Sequence, residues 1–548
     1  MIRGLFSVLC LTYLAGCGEA GDGFGKEAPQ SDAGTATRCY GANDCPASFL
    51  CNEFGYCTPL VTPDGGIQPD NGLPPEVEQQ REPPAAGKVY VYVAVPAQNM
   101  VAKIHSTSLQ VRAIKVGQDP GALRAIPGKD VAVVLARGSA TAAVLRSRAD
   151  GGDDVSTLKT AVGLNQLALA PGGKHAVAYF DIKAAQGQLS KTSFQEVTVL
   201  HLQSGKDQSV SLSVGFRPSS VQFSSDGSRA FVVTEQAVST IELAKAVKPA
   251  IVPSIATVKD PIQEGKLDEV LVTSDGKYAL GRRAGLNGIR VVDLTTQAIT
   301  DLDLGGDATD LDLTQDGKLA VATLRDSKQV AFIDIPGDLL DATRIDTLST
   351  SKYQPGQSVL SADAKWAFLF TNATSQEVLM VADLTQRAIA YHPLKKGVRT
   401  VFSSPDGQSV LVVHNKVQGT ASATDTFDAY VDKSYGYSLF KVATGFDKLV
   451  LTATDPGDVA FAPDSASAYL LLSDAAKGVR SVEAIDLGAF LVDSISLGSP
   501  PVALGVLATT RAVYVAQSHD LGRVTFVDMD SHGTKTVTGF ELNSYVIE

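Results

Sequence analysis

The phrase FSSDGSRAFVV, residues 223–233, occurs more than once in this chain, and its recurrence constrains the fold more than any other feature. A short alternating run, a polar turn and a second apolar run return as LALAPGGKHAVAYF (167–180), VLVTSDGKYAL (270–280), LDLTQDGKLAVAT (311–323), VLSADAKWAFLF (359–370), VFSSPDGQSVLVV (401–413) and VAFAPDSASAYLLL (459–472). Weaker copies flank them at 123–135 and 504–516. Between Asp226, Asp275, Asp316, Asp363, Asp406 and Asp464 the spacings are 49, 41, 47, 43 and 58 residues. The turn aspartate is not constant, because Gly172 holds its place in one copy, and Ala364 and Ser465 replace the following glycine in others. Asp bonds its own backbone in a turn and Gly supplies φ > 0, so the motif reads as punctuation between strands rather than as a catalytic acid.

A third run aligns as well: GIRVVDL (288–294), QVAFIDI (329–335), VLMVADL (378–384), SVEAIDL (481–487) and VTFVDM (524–529). Period-2 alternation and β-branched residues mark strands throughout, and no amphipathic helix is evident. Four strands repeated every 40–50 residues are the signature of an all-β propeller. The Ser-x-Asp-Gly turns resemble those of bacterial YVTN and TolB-like (WD40-like) propellers, over about 460 residues, and the resemblance implies the fold and little about function. WD40 proper is disfavoured, since no Gly-His…Trp-Asp pair occurs and Trp366 is the single tryptophan.

Ten copies of the second-third-fourth strand set run from Lys88 to Gly539, and nine have a first strand before them. The tail ELNSYVIE (541–548) is expected to supply the tenth and so close the ring, removing exposed edges. A ring of seven or eight blades, or two five-bladed rings, are the alternatives. The two longest inserts fall in the third unit of each half, which favours an ancient duplication.

In such a fold the Asp-Gly turns share one face, and the second-to-third loops share the opposite one. The inserts FDIKAAQGQLSKTSFQE (180–196) and HNKVQGTASATDTFDAYVDKSYGY (414–437) are second-to-third loops. Loops this long are usually functional or disordered. The second places Phe427, Tyr430, Tyr435 and Tyr437 among adaptable polar residues, a composition suited to a binding surface. Asp425, Asp428 and Asp432 form a candidate cation cluster, with Ca2+ as the weakly supported occupant, although their spacing lacks the alternation and central glycine of an EF-hand. Glu269, Asp310 and Asp458 share a register on innermost strands and could ring a channel mouth, or simply line a wet channel. No catalytic residue is identified. The seven histidines form no HExxH or haem-attachment motif, and no Gly-x-Ser-x-Gly elbow occurs. No cofactor is expected.

The chain start carries separate information. Arg3 precedes an apolar run, Leu5–Leu14, too short to span a bilayer and of the length of a signal-peptide apolar region. The run ends Leu14-Ala15-Gly16-Cys17, which resembles a bacterial lipobox; the resemblance implies cleavage of residues 1–16 and a lipid on Cys17. Gly18, in place of Asp, implies outer-membrane sorting by the rule of Gram-negative bacteria, facing the periplasm or the exterior. Residues 17–38 would form a tether. Cys39, Cys45, Cys51 and Cys57 follow at equal spacing, and in an oxidising compartment two disulfides are expected, with three connectivities open. The interleaved pairing, Cys39–Cys51 with Cys45–Cys57, would make a compact knot, each loop worth about 3 kcal/mol in the chain-entropy model. A zinc site is disfavoured, because no cysteine pair has the two-to-four spacing. The stretch 39–57 resembles small Cys-rich modules of myxobacterial lipoproteins. A linker with seven prolines spans 58–87, and the propeller is expected over 88–548.

The formal net charge is −12, with acids and bases interspersed and no basic block. Nucleic-acid binding depends on phosphate neutralisation, so that partner class is excluded. Together these features predict a lipid-anchored envelope protein that binds a protein or glycan through a propeller face; the oligomeric state stays open. A lactonase-like hydrolase is the enzymatic alternative, because such sites gather acids from several blades and leave no local motif. A structural subunit of an envelope complex is the third.

Overall fold

The computed structural model describes residues 85–185 and 194–540, together with the backbone of short strands at 49–51, 57–59 and 546–547. The chain divides into two units, Met1–Gly66 and Ile67–Glu548. In the first, strands Phe49–Cys51 and Cys57–Pro59 pair antiparallel, with Cys51 directly across from Cys57. Cys17, Cys39 and Cys45 lie outside the described residues, as does the expected signal segment.

The second unit is a single propeller ring of ten blades. Blades 2 to 9 are antiparallel four-stranded sheets whose strands follow chain order from the inner edge outward. Blade 4 is representative: Ser220–Phe223, Arg229–Val233, Ala237–Glu242 and Ser254–Ala256. Its second strand explains why the fold needs alternation on both faces. Ala230 and Val232 pack toward blade 3, whereas Phe231 and Val233 pack toward blade 5. Each seam repeats this pattern, so the core consists of ten apolar layers, one at each blade junction. The seam between blades 5 and 6, which joins Ile289 and Val291 to Leu311 and Ala320, is built like the others. That continuity removes the two-ring alternative.

The Asp-Gly turns carry out the expected task. The Asp226 Oδ1 accepts from Ser224 Oγ (2.6 Å), Ser228 N (3.0 Å) and Ser228 Oγ (2.8 Å). Asp275, Asp316, Asp363 and Asp406 repeat the bond from the hydroxyl two residues before and from the amide two residues after. These bonds, led by the Ser224 hydroxyl, hold the Asp226 carboxyl down to about 2. The next residue is left-handed everywhere, with φ of 66° at Gly227 and 62° at Gly276, and 56° and 57° at Ala364 and Ser465. Gly276 has a second reason to lack a side chain, since a Cβ there would overlap the Phe231 ring. Neighbouring turns are also tied together: Ser225 N donates to Ser274 O, Ser274 Oγ to Asp316 O, and Asp406 N to Ser465 Oγ.

The ring closes differently from the expectation. Blade 1 contributes three full strands, Tyr90–Val95, Met100–His105 and Val111–Lys115, and its inner edge carries only a bridge from Ala86 to Val91. The tail does not complete it. Val546–Ile547 pairs with Val537–Thr538 and adds a fifth strand to the outer edge of blade 10. The physical reason lies just before it: Gly539 adopts φ 95° and Phe540 is sunk into the seam between blades 10 and 1. Closure therefore rests on side-chain packing, with Val91, Val95 and Ile104 against Leu507, Tyr514 and Phe526, and on a 2.9 Å bond from Ser106 Oγ to Thr510 Oγ1.

Candidate functional site

Both long inserts connect second to third strands, in blades 3 and 8, so they share the face opposite the Asp-Gly turns. The blade 8 insert is built by a small number of anchors. At its root His414 is buried, its Nδ1 facing Gly397 O (3.3 Å) and its Nε2 facing Ser438 Oγ (2.8 Å). Burial pushes this imidazole down to about 4. Within the insert lies a helix, Phe427–Lys433, that the hydrophobic pattern did not announce. The missed signal was local: the Thr426 hydroxyl caps the helix by accepting from Ala429 N. Asp425 accepts from Ser422 N and pairs with Lys433 at 2.8 Å, which holds its carboxyl below the usual range.

Sequence reading also missed Lys396. This residue sits in the link between blades 7 and 8, and its ammonium is buried under the insert. It donates to Val431 O (2.6 Å) and Asp432 O (3.0 Å), carbonyls at a helix end that also accept from Ser434 N and Val417 N, where the helix dipole favours a cation. Burial lowers its pKa. The insert is thereby fixed to the blade beneath it while its outer surface stays open.

The four aromatic candidates separate into three roles. Phe427 is 79% exposed and Tyr430 42% exposed, beside an exposed Val417. Tyr435 is half-buried with two cations over its ring, Lys416 Nζ at 5.2 Å and Lys477 Nζ at 5.4 Å, so it joins the insert to blade 9. Tyr437 does not belong to the surface. It is fully buried, and its hydroxyl donates to Glu483 Oε2 at 2.6 Å. The third strand begins at Tyr435, and alternation turns Tyr437 into the seam with blade 9. Beyond Lys477 a polar groove of about 370 Å³ opens on blade 9, lined by Gly478, Val479, Arg480, Ser481, Ser494 and Ser496, with Leu497 beside them.

The three aspartates do not converge. Asp425 is committed to Lys433, Asp428 is exposed in the first turn, and Asp432 lends its backbone carbonyl to Lys396. Among the described residues no group of three or more His, Cys, Asp or Glu is arranged to hold a metal ion. The channel carboxylates separate likewise. Glu269 pairs with Arg282 at 2.7 Å. Asp310 is buried and accepts from Ser358 N at 2.7 Å, joining the inner strands of blades 6 and 7. Asp458 is exposed on the inner strand of blade 9.

The blade 3 insert adds a second aromatic feature on the loop face. Phe180, Phe194 and Phe216 stack edge to face with centroids 5.5 and 6.3 Å apart, and Phe216, half exposed, carries Arg217 over its ring at 5.3 Å. Residues 186–193 lie outside the described residues. No described helix is long and apolar enough to cross a membrane.

No family model matches the chain, and no curated protein matches it. Solved structures show likeness. Hydrazine synthase of Kuenenia stuttgartiensis is 16% identical, covers 59% of this chain and 95% of its own, and has a TM-score of 0.33. A eukaryotic initiation factor is 11% identical over 75% of this chain and 96% of its own, with a TM-score of 0.48. Dihydro-heme d1 dehydrogenase NirN in complex with DHE is 13% identical over 62% and 70%, with a TM-score of 0.40. At these identities and scores the likenesses carry no argument about function.

Proposed function

We propose that this chain is a lipid-anchored scaffold of the cell envelope that presents its loop face to a protein or glycan partner. The observation that carries this reading is the blade 8 insert, held by Lys396 and by the Lys416 and Lys477 contacts to Tyr435 while Phe427 and Tyr430 face outward. A preorganised aromatic surface loses little entropy on binding, which is what a recognition loop requires. In this reading Cys17 anchors the protein, the Pro-rich segment holds the ring away from the membrane, and the four cysteines brace the tether. Capture of partners from solubilised membranes, comparing the whole chain with a variant lacking 416–434, tests the reading. Loss of a defined partner is expected; an unchanged partner set sinks it.

A further inference from the structure

Two asparagines in the chain precede glycine: Asn71, which lies outside the described residues, and Asn287. Asn287 belongs to blade 5, in the loop-face turn between the second strand, Tyr278–Arg282, and the third, Gly288–Asp293. It is exposed and left-handed, with φ 57°. Its neighbour must be glycine, because a Cβ at 288 would overlap the Leu302 carbonyl oxygen. Two carboxylates shape the turn. Asp307 accepts from Gly285 N (2.6 Å) and Asn287 N (2.7 Å), and Asp303 accepts from Asn287 Nδ2 (2.6 Å) and Gly305 N (2.9 Å). The Gly288 N–H is left out of this arrangement. The bonds from Leu304 N to Asn287 O and from Asp293 N to Ala298 O point the odd-numbered residues of this stretch at the fourth strand, so Gly288 points at the second. There the ladder begins only at Ile289 opposite Arg282, and Arg283 O accepts from Leu286 N. Among the described residues the Gly288 N–H has no partner.

We infer that Asn287 is a modification site, which deamidates to aspartate and isoaspartate through a cyclic imide formed with Gly288. The nucleophile is the Gly288 nitrogen. It gives up no main-chain bond before it attacks, and glycine places no Cβ in the path. Hydroxide takes the Gly288 N–H proton, the nitrogen bonds to Asn287 Cγ, and the Cγ–Nδ2 bond breaks. Nδ2 leaves as ammonia, taking a proton from water. Water then opens the imide: addition at the side-chain carbonyl gives aspartate, and addition at the main-chain carbonyl gives isoaspartate. The sum is amide plus water to carboxylate plus ammonium, so water is the only co-reactant. The two anchors give the change a structural consequence. Asp303 loses the Nδ2 donor, and the new carboxylate stands in one turn with Asp303 and Asp307, where like charges repel. Isoaspartate also lengthens the main chain where it enters the third strand. This site is independent of the blade 8 insert.

Peptide mapping by mass spectrometry tests the inference on the purified, folded full chain, sampled during incubation in mildly alkaline buffer. The peptide carrying Asn287 should gain about 1 Da and separate into two forms, aspartate and isoaspartate. Its conversion should run at least about tenfold faster than that of Asn372 and Asn415, which precede Ala373 and Lys416. Asn71, followed by Gly72, times the incubation as a second Asn-Gly pair in the same chain. An Asn287 that keeps its amide after Asn71 has converted overturns the inference, because the bonds to Asp303 and Asp307 would then hold the ring open. Conversion of Asn287 no faster than that of Asn372 and Asn415 also overturns it.

Discussion

The two faces of the ring are made from the same blades and use side chains in opposite ways. On the turn face, the turn aspartate of each of blades 4 to 8 spends its lone pairs on its own turn, and neighbouring turns bond to one another from Ser225 to Ser274 to Asp316. On the loop face, residues that occur once in the chain carry the structure: Lys396 under a helix end, Tyr435 against two lysines, Phe427 and Tyr430 outside. Repetition marks residues that maintain a fold, since each blade needs the same reversal. Singularity marks the surface available for recognition. A carboxylate on the turn face is thus poor evidence for chemistry, even with its pKa held low, because the causes are all local to the turn.

Substitutions should separate the faces, the largest effect coming from packing beneath the turns. Gly276→Ala must place a side chain at φ 62° and against the Phe231 ring, and is expected to cost about 4 kcal/mol in denaturant unfolding. A cost below about 1 kcal/mol would show that the turn face is not tied to the seam beneath it. Next comes pH. The unfolded chain takes up a proton near pH 6.5 that buried His414 accepts only near 4, so its contribution is complete above 6.5 and is lost as pH falls toward 4. His414→Asn should remove about 3 kcal/mol from the difference in stability between pH 7 and pH 4. An unaltered pH profile would place the origin of acid sensitivity elsewhere.

Lys396→Met tests the loop face more locally. It removes two charge-assisted bonds to carbonyls that keep their partners Ser434 N and Val417 N, so a loss of about 2 kcal/mol is expected. Hydrogen exchange should rise selectively in 427–433 and partner affinity should fall. Retained protection of the helix would mean that the cap and the Asp425–Lys433 pair suffice. The smallest effect belongs to Asp226→Asn, because an amide oxygen can accept the same three bonds. Melting temperature and partner binding should be unchanged; a clear loss of binding with the fold intact would reassign this residue to function.

Much of the fold was legible because each blade repeats one reversal and one alternation, so a chain of weak local signals adds to a strong one. The ten strand sets and the face holding the inserts followed from that pattern, whereas their closure into one ring of ten came from the seams between blades. What escaped depended on contacts between distant residues. Nothing around Lys396 in sequence points to a helix end 35 residues onward. The tail had the composition of an inner strand, and only the burial of Phe540 determines which edge it meets. Tyr437 was legible in principle, since alternation puts it on the same face as Leu439 in the following strand, but composition drew it toward the surface aromatics. The carboxylates at 269, 310 and 458 share a register, yet their fates differ because Arg282 and Ser358 stand beside two of them.

The central claim is that recognition resides on the blade 8 insert. Its most direct test is affinity for a captured membrane partner, measured by calorimetry with the parent chain, Phe427→Ala/Tyr430→Ala and Asp226→Asn. Both aromatic side chains are exposed, so their loss should leave the melting temperature in place while weakening binding at least about tenfold, with Asp226→Asn at parental affinity. Equal affinity for the double variant and the parent, with both folded, would contradict the account.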